Sequence, residues 1–361
     1  MKTALTSRVR TAGVLTALVL AAGPAMAGNA SPGPDSGPAA DDRAPARSTS
    51  AWLPYWGSDT AYADALQHAS QLHTVSPFWY EATSATTVNG YPGAGDRRMV
   101  DGLHAKGIRV VPTVIETLDA RAMAELLGDP ARRTAHTDAL MDIAESSAYD
   151  GLDLDYERMA ETEDEQLREQ VRVGYDALTA ELCTRLHTRN KQCVVTVMPH
   201  TLLDGHAYDY AQLGKVADRL RIMGYNLHNA LDKPGPLSST AWYEEFLGYA
   251  TGVVPREKLE VALPAYGWDW TVGSTDRARH VTSKEAEALR RERKADYHFD
   301  TASGTPHFGY TDGGKRHEVW YQDANGTAAH LAVLKKYGVR NSGLWALGFE
   351  DPGVWDVLAA R

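Results

Sequence analysis

The chain has 361 residues, 43% of them hydrophobic and 23% charged, enough apolar material for a full core in one large domain or two smaller ones. Its formal net charge is −10, and without a basic stripe that balance excludes nucleic acid and anionic membrane as expected partners. Thirteen histidines show no His-Glu-x-x-His or comparable ligand spacing, so no metal is expected either.

The chain order begins with an export signal. Lys2, Arg8 and Arg10 precede the apolar run Ala12 to Ala22, which is too short to span a bilayer, and Ala25-Met26-Ala27 is a small-x-small cleavage site. Residues 1–27 therefore read as a secretory signal peptide, and the expected location is extracellular. Cleavage removes three cations and no anions, so the net charge of −10 becomes −13. Residues 28–49 are Gly, Ala, Pro, Ser and Asp with almost no large apolar side chain, the composition of a flexible tether that cannot offset its ordering entropy.

From residue 50 to 361 short apolar runs alternate with helical patterns. The runs are Ala51–Tyr55, His73–Trp79, Arg109–Ile115, Gly151–Tyr156, Val194–Met198, Arg219–Tyr225, Leu259–Ala265 and Gly343–Leu347. Between them lie amphipathic segments such as Asp96–Lys106, Arg121–Ser146, Glu165–His187 and Ala328–Tyr337, with Gly107 and Gly338 in the position of C-caps. Eight strands in strand-helix alternation predict an α/β fold, a (β/α)8 TIM barrel. A doubly wound sheet is the alternative, but no Gly-rich dinucleotide fingerprint follows the first strand. The stretch from Ala265 to Gly343 is too long for one connection. It holds a helical pattern, Ser283–Arg293, and two β-like runs around Asp312-Gly313-Gly314. A small α+β insertion, about 271–325, is expected between strand 7 and helix 7. Cys183, near the end of a helix, and Cys193, just before a strand, are candidates for a disulfide in an oxidising space; two free buried thiols is the other reading.

The chemistry concentrates at the fourth strand, Asp150-Gly151-Leu152-Asp153-Leu154-Asp155-Tyr156-Glu157. Alternate residues of a strand share a face, so Leu152, Leu154 and Tyr156 pack on helices while Asp153, Asp155 and Glu157 point into the barrel. Glu157 comes last, at the C-terminal rim where such barrels place their sites. Three carboxyls in one inward row oppose one another's ionisation, which is how a protein keeps one of them protonated near neutral pH. A calcium loop spaces its acids along a turn with a glycine at the bend rather than along a strand.

This octapeptide resembles the Asp-Gly-x-Asp-x-Asp-x-Glu signature of glycoside hydrolase family 18, the chitinase-like family. Pro54-Tyr55-Trp56 is similar to the family's first strand, and Ser76-Pro77-Phe78-Trp79-Tyr80 to the second strand of its spore-cortex-lytic and chitobiase-like branches. Met223-Gly224-Tyr225-Asn226, Leu263 to Trp270 and Gly343-Leu344-Trp345-Ala346-Leu347-Gly348 resemble the sixth, seventh and eighth, and Val319 to Asp323 the family's insertion. The resemblance implies a retaining glycosidase that uses the substrate's own acetamido group, a scheme distinct from that of the two-carboxylate enzymes. Glu157 is then the acid and base. Asp155 holds the acetamido N–H, Asp153 shares a proton with Asp155, and Tyr225 donates to the acetamido oxygen. Trp345 floors the sugar, with Tyr55, Tyr80, Met223, Asn226 and Trp268 as further substrate contacts. The family often has Asp where this chain has Asn226.

No cofactor is implied, and the expected partner is an N-acetylglucosamine-containing glycan bound by a monomer. Chitin oligomers, peptidoglycan and the core of N-linked glycans all carry the required group, and endo or exo action stays open. A non-catalytic lectin on the same barrel is the alternative, although lectin-like members usually lose the acid that is intact here. Of Trp56, Trp79, Trp268, Trp270 and Trp320, two or three are expected to touch sugar. His200, His206 and His228 read as rim or surface residues.

Overall fold

The computed structural model describes residues 49–360; the expected signal peptide and all of the expected tether except Thr49 lie outside them. Eight parallel strands form the barrel: β1 Thr49–Pro54, β2 Leu72–Ala82, β3 Thr113–Glu116, β4 Gly151–Asp155, β5 Gln192–Val197, β6 Arg219–Met223, β7 Leu259–Pro264 and β8 Asn341–Trp345. A short piece, Arg109–Val110, precedes β3 and also pairs with β2. β1 pairs with both β2 and β8, which closes the sheet into the (β/α)8 TIM barrel that the alternation predicts.

Helices wrap the outside, most of them started by a side-chain cap. Thr188 ends a 24-residue helix from Glu165 whose first turn is capped by the Asp164 carboxylate. The pattern from Arg121 to Ser146 is two helices rather than one, Ala120–Gly128 and Pro130–Ser146. Pro130 cannot continue a preceding helix, and the Asp129 carboxylate accepts from the N–H groups of Ala131 and Arg132 to begin the next. Gly107 and Gly338 take the left-handed conformation beyond their helices, with φ of 69° and 72°. Cys183 and Cys193 are joined, tying the long helix to β5. Their separation of 10 residues constrains the unfolded chain by about 3 kcal/mol in the chain-entropy account.

The insertion begins five residues earlier than the sequence pattern suggests, immediately after β7. Its antiparallel sheet runs Arg279–Thr282, Tyr266–Thr271, Lys315–Tyr321, Thr305–Asp312, His298–Asp300 in spatial order, with the helix Ser283–Glu292 against it. Trp268 and Trp270 thus belong to the insertion's wall rather than to the seventh barrel strand.

The inside of the barrel is polar. Ser50, Ser76, Thr113, Asp153, Thr196, Arg221 and Glu260, one from each of the strands β1 to β7, are all buried. Arg221 bridges the two carboxylates, donating from Nη1 to Asp153 Oδ2 at 2.8 Å and from Nε to Glu260 Oε1 at 2.5 Å. Thr113 and Thr196 each donate to Asp153 at 2.8 Å, and Ser50 donates to Glu260 at 2.5 Å. The guanidinium also lies 4.3 Å from the centroid of the Trp52 ring. Burial works against the charge of Glu260, yet Arg221, His73 and Arg219 hold its carboxyl below its ordinary value.

Removing the cation would leave two buried carboxyls uncompensated. Arg221→Met is therefore expected to cost about 3–5 kcal/mol, read as a lowered midpoint in denaturant unfolding of the otherwise intact chain. An unchanged midpoint would show the bridge to be dispensable.

Candidate active site

β4 carries the signature for backbone as well as chemical reasons. A Cβ on Gly151 would lie 2.2 Å from the carbonyl oxygen of Gln192 on β5, so only glycine lets the two strands pair there. Asp150 accepts from the Val110 N–H at 2.7 Å and faces His104 Nε2 at 2.8 Å, fastening the start of the strand. Leu152, Leu154 and Tyr156 join the main apolar core. The three acids on the other face then meet three different environments.

Asp153 is deepest. Its oxygens accept from Thr113, Thr196 and Arg221. Burial raises its pKa from the ordinary carboxyl value, with Arg221 and the two threonines opposing. Asp155 is 3% exposed, and its Oδ1 is buried with no hydrogen-bond partner among the described residues. Burial raises its pKa well above the ordinary carboxyl range, with the charges of Glu157, Asp153 and Glu116 adding and Arg221 opposing. Glu157 stands at the mouth, half-buried. Burial, then the charges of Glu161 and Asp204, push its carboxyl up to about 7. Such a group is poised to give and retake a proton near neutrality.

β6 brings Met223 and Tyr225 to the same place. Tyr225 is 8% exposed, and after burial the charges raising its pKa are those of Asp155 and Glu157, so the phenol faces both. Asn226 follows in the left-handed region at φ 63°, which asparagine tolerates. Its Oδ1 accepts from the Tyr266 hydroxyl at 2.5 Å and from Trp268 Nε1 at 3.3 Å. An indole N–H only donates, so the amide oxygen turns toward these rings and the NH2 group turns away.

An aromatic cluster surrounds the acids: Trp52, Met223, Tyr225, Tyr266, Trp268, Trp270 and Trp320, with Phe78 and Trp345 packed against it. Trp345 rests edge-on to Trp52 and Phe78, at 5.5 and 5.2 Å between centroids. Trp56, 53% exposed, stands 6.3 Å from Trp345. Tyr55 lies at the rim, stacked on Tyr91 at 4.2 Å.

Two expected contacts are elsewhere. Tyr80 is buried in the main core, its hydroxyl 2.7 Å from that of Tyr149. The cause is an irregularity in β2: Phe78 pairs with Thr113 but Tyr80 with Val114, so the strand changes face between them. Phe78 reaches the cluster in its place. Trp79 is also fully buried in the main core. A cavity of about 450 Å³ lined by Asp269, Arg279, Tyr310 and His317 opens on the insertion strand's other face, and none of the three acids lines it. His200 is stacked on Tyr249 at 3.8 Å. Among the described residues no group of three His, Cys, Asp or Glu is arranged to hold a metal ion.

Sequence reasoning passed over Arg221 and Glu116. Both left a signal: a lone cation inside the apolar run Leu220 to Met223, and a carboxylate closing the apolar strand Thr113–Glu116, each of which needs a buried partner.

The profile of glycosyl hydrolases family 18 matches residues 105–350, which contain the signature, the insertion and β8. The chain belongs to this family. It is a glycoside hydrolase, chitinase-like in sequence and architecture. Relatives include an uncharacterized glycosylase, YvbX, of Bacillus subtilis, 29% identical over 68% of this chain and 70% of its own length. The cortical fragment-lytic enzyme of the same organism is 28% identical over 54% of this chain, a segment amounting to 47% of that enzyme. Human di-N-acetylchitobiase is 23% identical over 74% of this chain and 73% of its own. In fold, a chitinase from Chromobacterium violaceum superposes with a TM-score of 0.77 at 24% identity, covering 87% of this chain and 98% of that one.

A carboxyl raised in this way leaves a signature in stability. A carboxyl with a raised folded pKa binds extra protons in the native state between its unfolded value and about 7, so its contribution to stability is lost as pH rises through that window. Glu157→Gln removes this term. The variant's melting temperature should gain on the parent's between pH 5 and pH 8; a constant difference would mean that Glu157 titrates normally.

Proposed function

We propose that this family 18 hydrolase cleaves the bond following an N-acetylglucosamine unit, with retention, by substrate-assisted catalysis. The observation that carries the proposal is the pairing of a half-buried carboxyl whose pKa is pushed up to about 7, Glu157, with a buried carboxyl oxygen that has no partner among the described residues, Asp155 Oδ1. The first is a proton donor at the cleft mouth. The second is an acceptor left for a ligand N–H, since an unsatisfied buried oxygen is costly without one.

The steps follow from these groups. Glu157 gives its proton to the glycosidic oxygen as the C1–O bond breaks and the leaving sugar departs as an alcohol. The acetamido oxygen bonds to C1, forming an oxazolinium ion. Asp155 accepts the acetamido N–H and opposes the developing positive charge, and Tyr225 donates its hydroxyl to the acetamido oxygen. Glu157, now a carboxylate, takes a proton from water as the water oxygen attacks C1 and opens the ring, restoring the acid with the original anomeric configuration. Trp345 and its edge-on supports give the sugar's C–H face an apolar floor.

The substrate class is a β-1,4-linked N-acetylglucosamine glycan: chitin oligomers or the glycan strands of peptidoglycan. The cortical fragment-lytic and chitobiase relatives support that class. The N-terminal pattern of cations, apolar run and small-residue site supports secretion, and we take the working unit to be a monomer.

Glu157→Gln should lower kcat on chromogenic N-acetylglucosamine oligomers by roughly 10²–10⁴-fold, the usual contribution of a general acid. In the parent, kcat/KM should fall as pH rises through about 7, where Glu157 loses its proton. Full activity in the variant, or product of inverted configuration, would refute the mechanism. Comparing products from chitin oligomers and purified peptidoglycan distinguishes the two polymers.

A further inference from the structure

Glu116, the last residue of β3, is 2% exposed and lies outside the signature. Its Oε2 accepts the N–H of Glu157 at 3.0 Å, and its Oε1 accepts the N–H of Met159 at 2.7 Å. These are the N–H groups that open the single 3-10 turn Arg158–Ala160, where the chain leaves β4 and where the Glu157 side chain is aimed. No side chain within the turn caps it; the cap comes from the neighbouring strand.

A neutral serine or asparagine caps a turn at far lower cost. Glu116 is instead a buried carboxyl with no ion-pair partner among the described residues, which is expensive as scaffolding. Like charges face it from several elements: Glu157 and Asp155 from β4 and its end, and Asp204 and Glu161 around Glu157 itself. The phenols of Tyr156, Tyr175 and Tyr208 also feel its charge.

We infer that Glu116 is a positioning residue for the hydrolytic reaction, fixing the turn that carries Glu157 and so the place of its carboxyl at the cleft mouth. The inference rests on the assignment of Glu157 as the acid. Burial pushes Glu116 up to about 8, with its hydrogen bonds from the N–H groups of Glu157 and Met159 opposing. Its two oxygens hold the backbone on either side of Arg158, so the chain beyond the acid cannot turn without breaking one of these bonds.

Glu116→Gln keeps the length of the side chain but sets an NH2 against one of the two N–H donors; Glu116→Asp keeps the carboxyl on a side chain one methylene too short to span both. Each should lower kcat by roughly 10–100-fold, the effect of a misplaced catalytic group, with KM nearly unchanged at temperatures where the fold is intact. Parental kcat in either folded variant, or a rise in KM that accounts for the whole loss, would reduce Glu116 to a structural cap and overturn the inference. Glu116→Asp serves alone if the glutamine variant does not fold. The backbone amide shifts of Glu157 and Met159 should move in each variant without turnover, and parental shifts would also overturn the inference. Failure of this positioning is distinguishable from failure of the glycosidase mechanism, which is judged on the parent and Glu157→Gln alone.

Discussion

A guanidinium sealed inside the barrel is the constraint on which the site depends. Arg221 has no water to solvate it, so it must keep Asp153 and Glu260 as ligands, and each of those must keep it. The three residues come from β4, β6 and β7, and with Ser50, Ser76, Thr113 and Thr196 the bridge links strands around the barrel. Trp52 lies against the same guanidinium and supports Trp345 from its other side. Trp345 and the base of the acidic row thus share one anchor.

Charge is distributed unevenly along that row, and the unevenness makes the chemistry. The cation pairs with Asp153, and of the charges acting on Asp155 it is the weakest. Burial raises all three carboxyls: Asp153 against the pull of Arg221, Asp155 well above its ordinary range, and Glu157 up to about 7 with the further charges of Glu161 and Asp204. Glu116, from β3, holds the backbone at Glu157 rather than its carboxyl.

The aromatic wall follows from the early start of the insertion. Its first strand leaves β7 directly, so alternation along Tyr266–Thr271 turns Trp268 and Trp270 to the cluster and Asp269 to the opposite face. Tyr266 and Trp268 then orient Asn226 through its amide oxygen. The neutral asparagine accepts two donors at once and presents its NH2 group outward, which a carboxylate at this position does not do.

Strand-helix alternation, the acidic row and its inward direction were legible in the sequence because they depend on period and on neighbours along the chain. Val-rich runs can only be strands here, and alternation within β4 separates Leu152 and Leu154 from Asp153 and Asp155 whatever surrounds them. What faces each side chain across the barrel was not legible. The partners of Asp153 lie 40, 43 and 68 positions away, and no local pattern says that a buried cation will be among them. Tyr80 turned from the site for a related reason: one irregular residue in β2 reverses every side chain after it, and such a step is set by the neighbouring strand's register. The order of residues determined which groups the barrel would carry; closure of the sheet decided which of them would meet, because pairings across a barrel belong to its register and not to the chain that threads it.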